Sequence, residues 1–383
     1  MKIVHIGPDS PFTQYLGNKF EQASPGSNIF IVLTQLSRAE HPIGGALNIA
    51  TPPNGLGFLG SILPAANKAD AIVAHGLSRP AAMLMGSMKN PVKIWSGWGF
   101  DYYGRDSNGG LALLAKVTAM YADEHNDTSS KFSVRRLLGR VDRRLKARAV
   151  ASMDYFSAPI PADYDVMRST YPEFSGEYLQ LNYGDVATMF SAGVKADNGS
   201  NILVGNSASL TNNHEDLFIQ LARCDLTGRK VIVPLSYGDP AYRDHVIKSG
   251  EHYFGRSFFP LVDFMPLAEY VGVISSCNVV LMGHKRQQAL GNIGSAIYHG
   301  AHLYLDRECP TYSFLRSRGV GVSALDELGR VLPRGRQPDV DLERSRHALH
   351  DFWGEDVVMR NVEDCVSLIK KHRALLSGAA SCN

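Results

Sequence analysis

Residues 202–207 read Ile202-Leu203-Val204-Gly205-Asn206-Ser207, and Thr211-Asn212-Asn213-His214-Glu215 follows just ahead of a helical pattern. A short apolar run, a glycine turn and then a helix make the opening of a strand-helix-strand unit on a parallel sheet. Outward from this stretch the same alternation recurs. In the first half it predicts strands at Ile3 to Ile6, Ile29 to Leu33, Ala71 to Ala74, Val92 to Trp95, Tyr155 to Ala158 and Tyr178 to Leu181. In the second half it predicts strands at Ile202 to Val204, Val231 to Val233, Phe258 to Phe264, Val279 to Leu281 and Leu303 to Leu305. The expected fold class is α/β, with two consecutive sheets.

A chain of 383 residues suits two domains, since about 150 residues per domain is usual. The polar run Asp197-Asn198-Gly199-Ser200 places a linker between Gly184 and Ser200, so residues 1–190 form the expected first domain and 191–355 the second. Residues 356–383 form a terminal helix and tail, with Val357, Val358, Val362, Val366 and Ile369 at helical spacing. Apolar residues at 44% and charged residues at 20% exclude a disordered chain. A net charge of +2 argues against a general nucleic-acid partner. The five cysteines are scattered with no Cys-x-x-Cys pair, which argues against a disulfide framework and a zinc site. The start lacks the pattern of a signal peptide, and no segment approaches the roughly 18 apolar residues needed to span a bilayer. A cytoplasmic protein is expected.

Two segments of the second half suit an anion. Gly205 lets the backbone of Asn206 and Ser207 come close to a ligand, and the helix that follows directs free amides toward it; the same residues also suit a plain turn with Asn caps. Gly283-His284-Lys285-Arg286-Gln287-Gln288-Ala289-Leu290-Gly291-Asn292 follows the predicted strand at 279–281. Three cations or potential cations and two amides ahead of a helix start suit a nucleoside diphosphate without a metal; a solvated charged loop is the alternative. Tyr237, in Pro234-Leu235-Ser236-Tyr237-Gly238, ends a neighbouring strand, on the same expected rim.

These segments resemble the 4-acetamido-4,6-dideoxy-galactosyltransferase family of enterobacterial common antigen synthesis, whose members use a TDP-linked sugar and a lipid-linked acceptor. The resemblance is carried by 202–207, by the spacing to Asn213-His214, by Val231-Ile232-Val233-Pro234 with Tyr237-Gly238, and above all by Arg286-Gln287-Gln288-Ala289-Leu290-Gly291-Asn292. His75-Gly76 and Trp98-Gly99-Phe100-Asp101-Tyr102-Tyr103 are similar to the family's His-Gly and Trp-Gly-x-Asp-x-Tyr segments. The resemblance implies a GT-B fold, two Rossmann-like domains facing across a cleft, with the donor on the second domain and the acceptor on the first. Tyr103 to Ser130 departs from the pattern and reads as an extra loop on the acceptor side.

On that acceptor side, Asp101 is the preferred general base and His75 its competitor, since a carboxylate or imidazole at a sheet rim can take a hydroxyl proton. Trp98 and Tyr102 offer rings for sugar stacking, and Asp9, after the first strand, is expected to bind or cap. Lys131 to Arg148 holds eight Lys or Arg residues, including Arg135, Arg136, Arg143 and Arg144, with leucines at helical spacing. That composition suits an amphipathic helix that meets an anionic membrane surface on the inner face of the cytoplasmic membrane. The leading expectation is a metal- and cofactor-independent glycosyltransferase. It would move a deoxy-amino or related hexose from a nucleoside-diphosphate sugar to a lipid-linked or polysaccharide glycan. A nucleotide-sugar isomerase on a similar fold and a non-catalytic glycan-binding protein are the other classes.

Overall fold

The computed structural model describes residues 1–34, 43, 47–50, 62–63, 66–103, 111–125, 142–195 and 199–380. Among these, strands build two sheets in which every pairing is parallel. The first contains β1 (Ile3–Pro8), β2 (Asn28–Thr34), β3 (Leu47–Ala50), β4 (Ala71–His75), β5 (Val92–Ser96), β6 (Tyr155–Ser157) and β7 (Glu177–Tyr178), in the order β3-β2-β1-β4-β5-β6-β7. The second contains β8 (Asn201–Val204), β9 (Val231–Pro234), β10 (Phe258–Leu261), β11 (Cys277–Met282), β12 (His302–Leu305) and β13 (Val322–Ala324), in the order β10-β9-β8-β11-β12-β13. Each sheet winds outward from its first strand and then reverses, between β1 and β4 in one and between β8 and β11 in the other. The α/β reading holds, and the short strands β3 and β13 are additions to it. The strand expected at Tyr178 to Leu181 ends at Tyr178, and the one expected to reach Phe264 ends at Leu261.

Alternation along the strands sends side chains to both faces. In the first sheet Val4, Ile6, Ile72, Ala74 and Trp95 bury one face, and Ile3, Ala71, Val73 and Ile94 bury the other. Helix starts are written locally. Ser10, Ser78 and Asp239 cap the helices Pro11–Ala23, Arg79–Ser87 and Pro240–Phe254, each with a proline in its first turn.

The chain divides into two compact units, one comprising Met1–Tyr103, Thr128–Gly184 and Asp356–Asn383, the other Gly104–Asp127 and Asp185–Glu355. This differs from the expected division at 190/191 in three places. Residues Val186–Ser191 form a π-helix of the second unit rather than a linker, capped by Asp185 and packed through buried Phe190 on Gly294; Asp197 and Asn198 lie outside the described residues. The presumed acceptor-side loop contains the helix Lys116–Glu124, which joins the second unit. Its open first turn is satisfied by Asp216, which accepts Val117 N–H and Thr118 N–H, both at 3.0 Å, and the Thr118 hydroxyl at 2.8 Å. The terminal helix Glu355–Ala380 buries Val358, Val362, Cys365, Val366 and Ile369, and the last four pack with Ile3, Leu16, Phe20 and Val73 of the first unit.

Ile369→Ala should therefore destabilise the first unit by about 2–5 kcal/mol, the range for such deletions in a packed core, whereas Glu363→Ala, on the exposed side of the same helix, should stay within about 0.5 kcal/mol. Urea unfolding of both variants checks this; equal midpoints would contradict the packing of the helix.

Candidate active site

In an open parallel sheet, loops after neighbouring strands diverge where the winding reverses, and a crevice opens at the strands' carboxyl ends. Each unit has one, and the residues singled out from the sequence gather at both.

In the second unit β8 ends at Val204, and Gly205 turns at φ +67°, in the region that favours glycine. A Cβ there would lie 2.8 Å from His214 Nε2 and 2.9 Å from Asn212 Oδ1. Asn212 organises the loop. Its Oδ1 accepts Asn206 N–H at 2.9 Å and His284 Nε2–H at 2.8 Å, and its Nδ2 donates to the Ser207 carbonyl at 2.9 Å and hydroxyl at 3.1 Å. Asn206 Oδ1 accepts from Gln288 Nε2 at 3.0 Å, and its Nδ2 donates to the Tyr237 hydroxyl at 2.6 Å. Gln288 Oε1 accepts from Thr211 at 2.7 Å and from Arg286 Nε at 2.9 Å. Tyr237, 60% exposed, is brought alongside by a bridge between Ala208 and Gly238. One network thus ties the loops after β8, β9 and β11.

The helix Leu290–Tyr298 starts directly behind this network. Its first residue is preceded by Ala289 at φ +56°, and no side chain caps its first turn, which holds Gly291 and Asn292. The Asn292 side chain donates instead to Tyr270 OH at 2.6 Å. Uncapped amides at a positive helix end attract an anion. The expected trio of cations is corrected. His284 is buried and gives its Nε2–H to amide oxygens, and burial, helped by the charge on Arg286, pushes its pKa down to about 3. It is neutral. Lys285 is paired with Glu308 at 3.1 Å, which leaves Arg286 as the cation built into the network.

In the first unit His75 closes β4, and Gly76 turns at φ +73°. His75 lies diagonally across from His5, with Nε2 3.1 Å from His5 Nδ1, and His5 Nε2 is 3.2 Å from Asn28 Oδ1. Gly7 makes the room, since a Cβ there would sit 2.7 Å from the His75 Cβ. Burial lowers the pKa of His5 to about 4 and that of His75 well below its ordinary value. Trp98, half-buried, packs with Phe12, Phe100 and Tyr183 at ring separations of 5.8, 6.4 and 6.0 Å. Asp9 follows β1 on the same rim, with its N–H on the Leu33 carbonyl at 3.0 Å.

Asp101 does not suit the role of base. It is 2% exposed; Oδ2 accepts Leu77 N–H at 2.8 Å and Trp95 Nε1–H at 2.7 Å, and Oδ1 accepts Trp98 N–H at 2.9 Å. Its buried carboxylate is spent on three donors that hold the Trp98 turn in place. Tyr102 is likewise unavailable for stacking, fully buried with its hydroxyl on Asp163 at 2.6 Å. Of the basic helix, Arg135 and Arg136 lie outside the described residues. Residues 142–150 are helical, with Arg143 and Arg144 exposed and Leu145 packed on the core. No helix among the described residues is long and apolar enough to cross a membrane.

Asn212, Thr211, Tyr270, His5, Asn28, Phe12 and Tyr183 were not singled out from the sequence as site residues. The doubled Asn212-Asn213 before a helix was the available signal for the first of them. Thr211 belongs to the same run; for His5, Asn28, Phe12 and Tyr183, which meet across the sheet or between loops, there was none.

Two units, each a parallel sheet with a reversal in its winding, define a fold of GT-B type, and solved structures bear this out. A glycosyltransferase of Rickettsia africae ESF-5 superposes with a TM-score of 0.61 at 9% identity, covering 97% of this chain and 98% of that one. Sucrose-phosphate synthase from Thermosynechococcus elongatus gives 0.56 at 12%, covering 100% of both. Anabaena HepE in complex with UDP gives 0.53 at 12%, again covering 100% of both. The particular family follows from a match over residues 143–334 to the 4-alpha-L-fucosyltransferase family, glycosyl transferase group 56. The chain belongs to that family and transfers sugar from a nucleotide sugar; nothing supports the isomerase alternative.

The neutral histidines make acid stability a test of this geometry. Folded His214 and His284, each at about 3, bind protons less readily than when unfolded, near 6.5. Their contribution is complete above about pH 6.5 and is lost as pH falls toward 3, by about 1.4 kcal/mol per pH unit for each. Urea midpoints at pH 7 and pH 5 should fall less in His284→Gln than in the parent chain. An equal fall would mean that His284 is not buried neutral.

Proposed function

We propose that the second-unit crevice binds a nucleoside-diphosphate sugar and that the first-unit crevice binds a lipid-linked glycan acceptor. The observation that carries this reading is the network from Asn212 through Asn206 and Gln288 to Arg286, set against the uncapped start of Leu290–Tyr298. Charge develops on the diphosphate as the sugar leaves, and a guanidinium held beside open amides stabilises it without rearranging at that moment. The donor side of the reaction then calls for no metal ion. Tyr237 offers an exposed ring to the nucleoside, and the complex of HepE with UDP supports a nucleotide on this fold. The family description points to a 6-deoxyhexose, and the resemblance to the common antigen enzymes points to its 4-acetamido form.

The aromatic rim of Phe12, Trp98, Phe100 and Tyr183 suits the C–H faces of acceptor sugars. The exposed Arg143 and Arg144, next to the basic run at 131–141, support attachment to anionic lipid on the inner face of the membrane, where each cation adds about 1 kcal/mol.

Arg286→Ala should weaken nucleoside-diphosphate binding roughly 10- to 100-fold, the loss expected for one charged hydrogen-bonding group, measured by calorimetry with the diphosphate that best raises the melting temperature in a panel. Unchanged affinity would overturn the donor placement. For the membrane, flotation with anionic vesicles should recover the chain at low salt and lose it at high salt. Equal recovery on neutral vesicles, or none lost when Arg135, Arg136, Arg143 and Arg144 become Gln, would reject the membrane contact.

A further inference from the structure

We infer that His75 Nδ1 and Trp98 Nε1 together grip one hydroxyl of the acceptor and that His75 Nδ1 takes its proton during transfer. The inference rests on the acceptor reading above and deepens it, because it names the base and the groups that set its proton.

Hydrogen bonding fixes where the protons lie. Asn28 Nδ2 has only acceptors within hydrogen-bond distance, the Phe20 carbonyl at 3.1 Å, Glu21 Oε2 at 2.8 Å and the Ser24 carbonyl at 2.9 Å, among which its two N–H groups are shared. Its Oδ1 is therefore the atom facing His5, and an oxygen there requires His5 to donate from Nε2. A neutral imidazole has one N–H, so His5 Nδ1 accepts, and its neighbour His75 Nε2 must donate. The proton of His75 is then on Nε2, and Nδ1 carries a lone pair. Burial, which disfavours the charged form in both rings, keeps them neutral.

That lone pair is buried and has no partner among the described residues, and neither has the buried Trp98 Nε1–H. Trp98 is close by, with its indole 3.8 Å from the Cβ position of Gly76, the residue after His75. An orphan acceptor on His75 and an orphan donor on the indole packed at Gly76 complement a group that gives one hydrogen bond and receives one, which is what a sugar hydroxyl does. Phe100, 58% exposed, lies over Gly76 with Cζ 3.0 Å from that Cβ position, and a sugar would enter by displacing it. In the transfer the acceptor oxygen bonds to the donor's anomeric carbon, and the bond from that carbon to the diphosphate breaks with its electron pair going to the diphosphate. The hydroxyl proton passes to His75 Nδ1 and leaves to solvent with the product. His5 and Asn28 are positioning residues.

The tautomer can be read without substrate, by nitrogen NMR of the full chain labelled with 15N-histidine, with His75 assigned from its loss in His75→Gln. His75 protonated on Nε2 is expected; protonation on Nδ1 would overturn the inference. With TDP-linked 4-acetamido-4,6-dideoxygalactose and a lipid-linked amino-sugar glycan, His75→Gln should lower kcat about 10²- to 10⁴-fold and leave the donor KM little changed. Trp98→Phe should raise the acceptor KM roughly 3- to 10-fold, the worth of one neutral hydrogen bond. His5→Leu frees the tautomer and should lower kcat, and His5→Gln, whose Oε1 accepts from His75 Nε2–H, should recover most of the loss. Equal losses in the two His5 variants would mean a merely structural role and sink the relay. Full turnover by His75→Gln with nucleotide binding intact would overturn this inference alone, whereas failure of the parent chain to bind any nucleotide would overturn the donor reading.

Discussion

Parallel strands cannot be joined by tight hairpins, so each must be reached by a crossover, and crossovers of one hand place successive helices on one face of the sheet. Winding outward from β1 and then reversing at β4, or from β8 and then at β11, is what covers both faces. The reversal leaves a gap between two loops at the strands' carboxyl ends. Both candidate crevices, and each residue given a chemical role in them, depend on that gap. Gly7 at the end of β1 and the turns at Gly76 and Gly205 are closely approached for the same reason, since side chains at these positions would fill the space between neighbouring strand ends.

The floors of the two crevices solve one electrostatic problem in related ways. Buried polar groups are costly unless paired, and buried charges more so. His5, His75, His214 and His284 are all buried with their pKa values lowered, and amides rather than carboxylates meet His5 and His284. In the second unit this neutral scaffold carries one guanidinium and a helix end to the place where a diphosphate would need them. In the first unit it carries a lone pair to the rim. Asp101 fits the same scheme, because its charge is taken up by three donors that shape the turn holding Trp98.

Two segments complete units from a distance along the chain. The helix Lys116–Glu124 has no cap of its own and takes one from Asp216, and the Asn213 side chain joins the Ala115 N–H at 2.8 Å to the Gly283 carbonyl at 2.6 Å. The edge of the second crevice is therefore braced by a stretch that precedes most of the first unit's last strands. The terminal helix, conversely, returns to the face of the first sheet that carries His5, where Ile369 and Val366 share a core with Ile3 and Val73.

The sequence by itself determined the α/β class, the position of nearly all the strands, the terminal helix and the segments that line both crevices. These are encoded within a few residues, in apolar periodicity and glycine turns, and so can be read locally. Tertiary structure alone decided which unit takes residues 111–125, that His284 is neutral and Lys285 paired, that Asp101 is enclosed by three donors while the equally buried His75 Nδ1 has none, and that Asn212 and Asn28 face the imidazoles they bond. Each of these turns on burial or on a partner remote in the chain: Asp216 lies 98 residues from Thr118, and His75 lies 70 from His5. The charge, protonation and availability of a side chain are properties of its surroundings, and those surroundings exist only once the sheet has closed.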